Sequence, residues 1–234
     1  MSGHNKWSKL KHTKGKTDAA RSKIFTKMGR ELSVIAKTGG SDPSVNGRLR
    51  DAMTKARKLN MSNDLINRAI NKSSDSSNLE EILYEGYAQH GVAVVVECLT
   101  DNRNRTAQEL RHTFDKYGTG LSTPNSAIFM FENVGQVFVT AKNESEDEIM
   151  LAAIEAGVRE CEWDEDGFLI TCDKTKVSEL AKALEAFGET ESEILYLPTS
   201  TVKLSEDQYA SVEKLCDFLD ECDDVQDVYH NAIL

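Results

Sequence analysis

The sequence lacks the patterns that mark disulfide-rich, membrane-spanning and many enzymatic proteins. Its five cysteines are an odd number without a Cys-x-x-Cys pair, which excludes a disulfide framework and a zinc knuckle and favours reduced thiols in a cytoplasm. Apolar runs such as 92–96 are far shorter than the roughly 20 residues of a membrane helix. Gly-x-Ser-x-Gly, phosphate-loop, dinucleotide-binding and His-Glu-x-x-His patterns are also absent. We therefore expect a soluble protein that is not an enzyme and carries no cofactor.

Charge is distributed very unevenly along the chain. Residues 1–72 hold 17 Lys and Arg against 5 Asp and Glu, whereas the whole chain has a net charge of −11, which leaves −23 on the remainder. Such asymmetry within one chain indicates a polyanionic partner, most often a nucleic acid. The acidic part is typical of a solvated surface, but it also suits the docking of a basic ribosomal protein.

The first 17 residues form a basic segment without helical or strand periodicity, and we expect them to be an extended, flexible arm. Five lysines share this arm with Trp7 and two histidines, and no acid precedes Asp18. Lysines on phosphates release counterions and give sequence-independent affinity, and Trp7 can stack on an unpaired base. The alternative is a solubilising tail with Trp7 folded onto the protein. Histidine spacing fits no common zinc pattern, so no metal is expected.

The basic start does not match a targeting segment. No apolar stretch follows it, as a secretory signal requires, and it is rich in lysine where mitochondrial transit peptides favour arginine and serine. We expect a cytoplasmic protein.

Residues 18–72 have the periodicity of a small helical bundle. Asp18 caps a first helix that runs to about Lys37, Asp42-Pro43 opens a second, and Ser62 caps a third. The first helix has one apolar face and, on the opposite side, a stripe of Lys23, Lys27, Arg30 and Lys37 that we expect to face solvent. The serine-rich segment that follows is a linker by composition.

After the linker the sequence alternates between strand and helix patterns. Strands are predicted at 82–87, 92–100, 127–132, 136–141 and 194–204, among others. Residues 133–204 have the βαββαβ order of a ferredoxin-like domain, and 79–132 lack a helix–strand pair that 205–234 supply. The predicted fold is α+β and multidomain: a three-helix domain followed by two ferredoxin-like α/β domains, one (133–204) inserted in the other.

The run Asp101-Asn102-Arg103-Asn104-Arg105-Thr106 lies where a strand turns into a helix. One interpretation is structural, with the acid or an asparagine capping the helix. The other is functional, because two arginines beside a helix N-terminus form an anion site. Both interpretations stay open from the sequence.

Several of these motifs resemble the YebC family, and the likeness covers essentially the whole chain. They are Gly3-His4-x-Lys6-Trp7, Lys11-His12, Lys23-x-Phe25-x-Lys27, Gly39-Gly40-x-Asp42-Pro43, Tyr84-Glu85-Gly86-Tyr87 and 97–106. The resemblance implies a helical N-terminal domain and two α/β domains, one inserted in the other. Family members are described as DNA-binding transcriptional regulators, a mitochondrial member activates translation, and bacterial members relieve ribosome stalls at proline runs. The family's Gly-rich, tryptophan-containing stretch is replaced here at 122–129.

These observations predict a nucleic-acid-binding regulator of gene expression that acts through its arm and helical domain. A ribosome-associated translation factor is favoured, because flexible lysine-rich tails suit folded RNA and no base-reading recognition helix is evident. A DNA-binding transcription regulator is the alternative, and a scaffold using the acidic domains is the third. The side chains assigned to nucleic-acid contact are Lys6, Trp7, Lys9, Lys11, His12, Lys14, Lys16, Arg21, Lys23, Lys27, Arg30, Lys37, Arg103 and Arg105.

Overall fold

The computed structural model describes residues 18–71, 79–140, 146–155, 157–164 and 167–234, and these fall into two compact units. Unit 1 contains the described residues up to Phe131 together with Pro198–Leu234, and unit 2 contains those of Glu132–Leu197. The elements in chain order are α1 (Asp18–Gly39), α2 (Gly47–Lys58), α3 (Asn63–Asn71), β1 (Glu80–Tyr87), β2 (Ala93–Thr100), α4 (Arg103–Tyr117), β3 (Gly120–Leu121), β4 (Phe131–Thr140), α5 (Glu146–Glu155), β5 (Glu160–Asp164), β6 (Gly167–Asp173), α6 (Val177–Leu184), β7 (Glu189–Pro198), β8 (Val202–Lys203), α7 (Glu206–Asp220), β9 (Val225–His230) and β10 (Ala232–Ile233). The predicted α+β class with a helical N-terminal region is confirmed.

Helices α1, α2 and α3 bury one shared apolar cluster. Each helix presents apolar side chains at intervals of three and four residues, so that they form a single stripe facing its neighbours. The cluster is built around Leu32, Leu49, Ala56 and Ile66, which are fully buried. Helices as short as α3 are marginal alone, so this shared burial is what stabilises them.

Helix α2 begins four residues later than the Asp42-Pro43 pattern predicts. Asn46 is its N-cap, and its side-chain oxygen accepts the Leu49 N–H at 3.1 Å. The Asp42 carboxylate instead accepts the N–H and hydroxyl of Ser44, which closes a turn before the helix. The prediction was wrong because an aspartate can cap its own local turn as well as a helix.

The sheet of unit 1 has the strand order β3-β1-β2-β9, with all neighbours antiparallel. Helices α4 and α7 pack against it and complete a core around Val94, Val96 and Phe114. The predicted ferredoxin-like order is therefore wrong for this domain, because β1 and β2 are joined directly as a central hairpin. Its closure by the C-terminal helix and strand is seen as the sequence predicts.

Unit 2 has the ferredoxin-like strand order β5-β6-β4-β7 that its βαββαβ sequence predicts. Helices α5 and α6 contribute Ile149 and Leu180 to a core with Val137 and Ile170 of the sheet. The two places where the chain passes between the units lie close together, since Met130 O accepts both the N–H (2.8 Å) and the hydroxyl (3.1 Å) of Thr199.

Two strand predictions are corrected. In place of a strand over 194–204 there are β7 and the short β8, and β8 pairs in parallel with β10. In place of strands at 127–132 and 136–141 there is a 3₁₀ turn at Ile128–Met130 followed by the single strand β4. The N–H groups of Ala127 and Ile128 both donate to the Glu85 carboxylate, so they are not available for sheet pairing.

Candidate nucleic-acid interface

Half of the predicted contact residues belong to the arm. Lys6, Trp7, Lys9, Lys11, His12, Lys14 and Lys16 lie outside the described residues, and their assignment stays a prediction. The described part of the interface therefore consists of the cations on α1 and α2 and those that begin α4.

Three cations of α1 contact the C-terminal end of α7. Lys23 Nζ donates to Glu221 O at 3.2 Å, Lys27 Nζ to Asp220 O at 2.9 Å, and Arg30 to Asp223 O at 2.6 Å. The last turn of α7 has no basic residue of its own, so its unpaired carbonyls and the negative end of its dipole are compensated by α1. The prediction that this stripe faces solvent is wrong for these three charged groups.

The other two predicted cations of α1 remain at the surface. Lys37 is exposed in the last turn of the helix. The guanidinium of Arg21 lies above the Phe25 ring, 5.5 Å from its centroid, in cation–π geometry. Both side chains can reach a ligand outside the protein.

A buried carboxylate, Asp224, connects α1 to the start of α4. Only 2% of this residue is exposed, and its oxygens accept from Arg30 (2.8 Å), Arg105 (2.7 Å), Thr106 (2.8 Å) and Thr100 (3.1 Å). We refer to these five residues as the Asp224 joint. Burial alone would raise the pKa of Asp224, but the hydrogen bonds from Arg105, Thr106 and Thr100 outweigh it and hold that pKa below its usual value.

The 101–106 run has a structural role at the start of α4. Asn102 is the N-cap, and its side chain accepts the Arg105 N–H at 3.1 Å. Arg105 pairs with Asp101 as well as Asp224, and Arg103 Nε donates to Glu80 at 2.8 Å. Both arginines keep exposed surface, so contact with a nucleic acid remains a prediction for them.

Helix α2 presents a cationic stripe that the site prediction omitted. Arg50, Thr54, Arg57 and Lys58 are exposed and lie on one face, at spacings of four, seven and eight residues. We refer to these four residues as the α2 stripe. The signal was visible in the sequence as five cations in a 12-residue helix with one acid. We had read it as a solvated surface, whereas the stripe of α1 that we preferred proved to be in contact with α7.

Two other kinds of site were sought in the described ranges. No group of three or more His, Cys, Asp or Glu side chains there could hold a metal ion. None of the helices in that part of the chain is both long and apolar enough to cross a bilayer.

Comparison with known proteins matches nearly the whole chain to one family. Residues 5–76 match the TACO1/YebC protein N-terminal domain, and residues 79–232 match the TACO1/YebC second and third domain. A probable transcriptional regulatory protein of Clostridium novyi is 46% identical over 99% of this chain and 97% of its own. One from Thermoanaerobacter pseudethanolicus is 44% identical with the same coverage.

A solved structure supports the same assignment. The crystal structure of a conserved hypothetical protein from Aquifex aeolicus is 40% identical and has a TM-score of 0.85, covering 98% of this chain and 97% of that one. The matched domains, the full-length relatives and the shared architecture agree, and the chain belongs to the TACO1/YebC family.

Proposed function

We propose that this protein is a non-enzymatic regulator of gene expression that binds nucleic acid through its basic arm and helical domain. The observation that carries the proposal is the charge distribution: residues 1–72 hold 17 cations against 5 acids in a chain whose net charge is −11. Cations clustered at one end of a chain are the electrostatic footprint of a phosphate-binding surface. Relatives named probable transcriptional regulatory proteins support the general role.

We further propose that the target is ribosomal RNA or tRNA on the ribosome, in the cytoplasm. An arm rich in lysine and a helix bearing Arg50, Arg57 and Lys58 fit phosphate and shape recognition better than base reading. The second candidate is a DNA-binding transcription regulator, which the names of the relatives favour. A scaffold that docks a basic ribosomal protein through the acidic surface of 133–234 is the third.

Co-sedimentation with ribosomes separates the first two candidates. We expect tagged protein to sediment with ribosomes at low salt, to persist in that fraction after DNase treatment, and to be released at high salt because phosphate contacts are screened. Recovery only with promoter-containing DNA fragments would reverse the ranking. Ribosome binding that survives high salt would instead favour the scaffold.

The structure predicts that cations on α1 and α2 have different roles. Changing Arg50 and Arg57 to Gln should weaken RNA binding about tenfold near 0.15 M salt, because two phosphate contacts are removed. Thermal stability should be unchanged, since both side chains are exposed. Filter binding and circular dichroism of the same samples measure the two effects.

The matched comparison changes Lys27 and Arg30 to Gln. These side chains donate to α7 and to Asp224, so their loss should cost about 1–3 kcal/mol of stability and change RNA affinity less than twofold. An equal loss of RNA affinity in both double variants would contradict the division of roles.

A further inference from the structure

An uncharged segment of unit 1 stands out in a highly charged chain. Charged residues make up 29% of the sequence, yet 117–131 contain no Asp, Glu, Lys, Arg or His. Exposed within this segment are Thr123, Pro124, Asn125 and Phe129. The surface they form is polar without charge, apart from one aromatic ring.

The segment is fixed in place from below by a buried carboxylate. Glu85, only 5% exposed, accepts the N–H groups of Asn125 (2.7 Å), Ala127 (2.6 Å) and Ile128 (2.7 Å). The Tyr87 hydroxyl donates to Ser126 O at 2.8 Å. We refer to residues 122–130 as the Glu85 loop. Charge-assisted hydrogen bonds to three consecutive parts of the backbone leave this loop little freedom to rearrange.

Phe129 projects outward from this fixed loop. Its neighbours at either side, Ala127 and Phe131, are buried, whereas 70% of Phe129 is exposed. Phenylalanine has only two side-chain torsions, so a ring held on an ordered backbone loses little entropy when a ligand stacks on it. The loop therefore presents a preorganised aromatic face to solvent.

The surroundings of Phe129 select the kind of ligand. A protein partner needs a broad apolar patch, and the exposed neighbours in this loop offer hydroxyl, amide and proline groups with no second large apolar side chain. A basic peptide would need carboxylates, which the segment lacks. An unpaired nucleobase matches one ring in size, and its edge can bond to hydroxyl and amide groups.

We propose that Phe129 is a stacking platform for an unpaired base of the bound nucleic acid. This inference rests on the proposed function and adds a base-contacting site to it. The site is separate from the Asp224 joint, because β1 pairs Glu80 with Thr100 at one end and Tyr87 with Ala93 at the other. The Glu85 loop lies at the Tyr87 end, roughly 20 Å along the strand from the joint.

The test compares two single-stranded RNA probes of about 12 nucleotides, a length within the range that stacking proteins cover. One probe has all its bases, and the other has the same backbone with abasic sites. Phe129→Ala should bind the complete strand roughly 5- to 100-fold more weakly, the loss typical of one stacked base. It should bind the abasic strand as the wild type does, and Phe129→Trp should restore binding of the complete strand.

Salt dependence and matched controls isolate the stacking contribution. Phe129→Ala should leave the slope of affinity against salt unchanged, because the ring contacts no phosphate. Leu151→Ala removes an equally exposed apolar side chain of unit 2 and should change nothing. The melting temperature of Phe129→Ala should equal that of the wild type.

Three results would overturn the proposal. Wild-type affinity of Phe129→Ala for the complete strand would contradict it alone. An equal loss on both strands would assign Phe129 a role other than base stacking. A wild-type protein that binds neither strand would contradict the proposed function itself, and this inference with it.

Discussion

Asp224→Asn is expected to lower the stability of unit 1 by about 2–4 kcal/mol, because a buried carboxylate with four donors is replaced by a group that can accept from only one side. The amide NH₂ would face Arg30 or Arg105, both of which can only donate. The Leu99 N–H, which donates to Asp224 O at 2.8 Å, reports the change directly. Its hydrogen exchange should be faster by a factor that corresponds to the lost stability.

Asp223→Asn is the matched control for this variant. Asp223 is exposed, and the contact that Arg30 makes with it is to its main-chain oxygen, which the substitution retains. We expect its exchange rates to equal those of the wild type. Equal acceleration at Leu99 in both variants would show that the Asp224 joint contributes nothing specific.

The joint also predicts an acid-labile fold. The folded-state pKa of Asp224 is lowered, so folding favours the ionised carboxylate. Its contribution is therefore complete above the unfolded pKa of about 4 and is lost as the pH falls through the lowered folded value. The Asp224→Asn variant should lack this part of the acid dependence, which thermal melts at a series of pH values would measure.

The second large effect is expected in the arm. Changing Lys9, Lys11, Lys14 and Lys16 to Ala should weaken RNA binding about 100-fold near 0.15 M salt, since each phosphate contact releases roughly 0.7 of a counterion from a single strand. The same change should reduce the slope of log affinity against log salt by about 3. Binding isotherms at four or more salt concentrations give both quantities.

Replacing the same four lysines by arginine is the control for the arm. Charge is kept in this variant, so affinity and salt slope should stay close to those of the wild type. Unchanged binding by the alanine variant would show that the arm does not hold the nucleic acid. Removal of residues 1–37 without loss of affinity would contradict the proposed function as a whole, because the arm and most of α1 would then be dispensable.

Periodicity predicted the elements well where one physical cause decides the structure. Apolar residues three and four apart specified α1, and the βαββαβ pattern specified the strand order of unit 2. Prediction failed where two local causes compete. Asp42 caps its own turn instead of α2, and Glu85 removes Ala127 and Ile128 from a strand by binding their N–H groups from 40 residues away.

The candidate site was harder to predict than the fold, because charge does not specify its own partner. Lys23, Lys27 and Arg30 look like a solvent-facing stripe on a helical wheel, and only the folded chain brings the end of α7 against them. Arg50 and Arg57 have the same appearance in sequence and are exposed. Partners almost 200 residues away cannot be inferred from periodicity, which is a local property.

The hydrogen bonds between Met130 and Thr199 make unit 2 a side branch of the chain. Because the polypeptide leaves and returns at neighbouring points, the length and composition of 132–197 can change during evolution without altering the path of the remaining backbone. Natural variation, fusion tags or a substituted domain could therefore be accommodated at this position while the phosphate-binding end keeps its architecture.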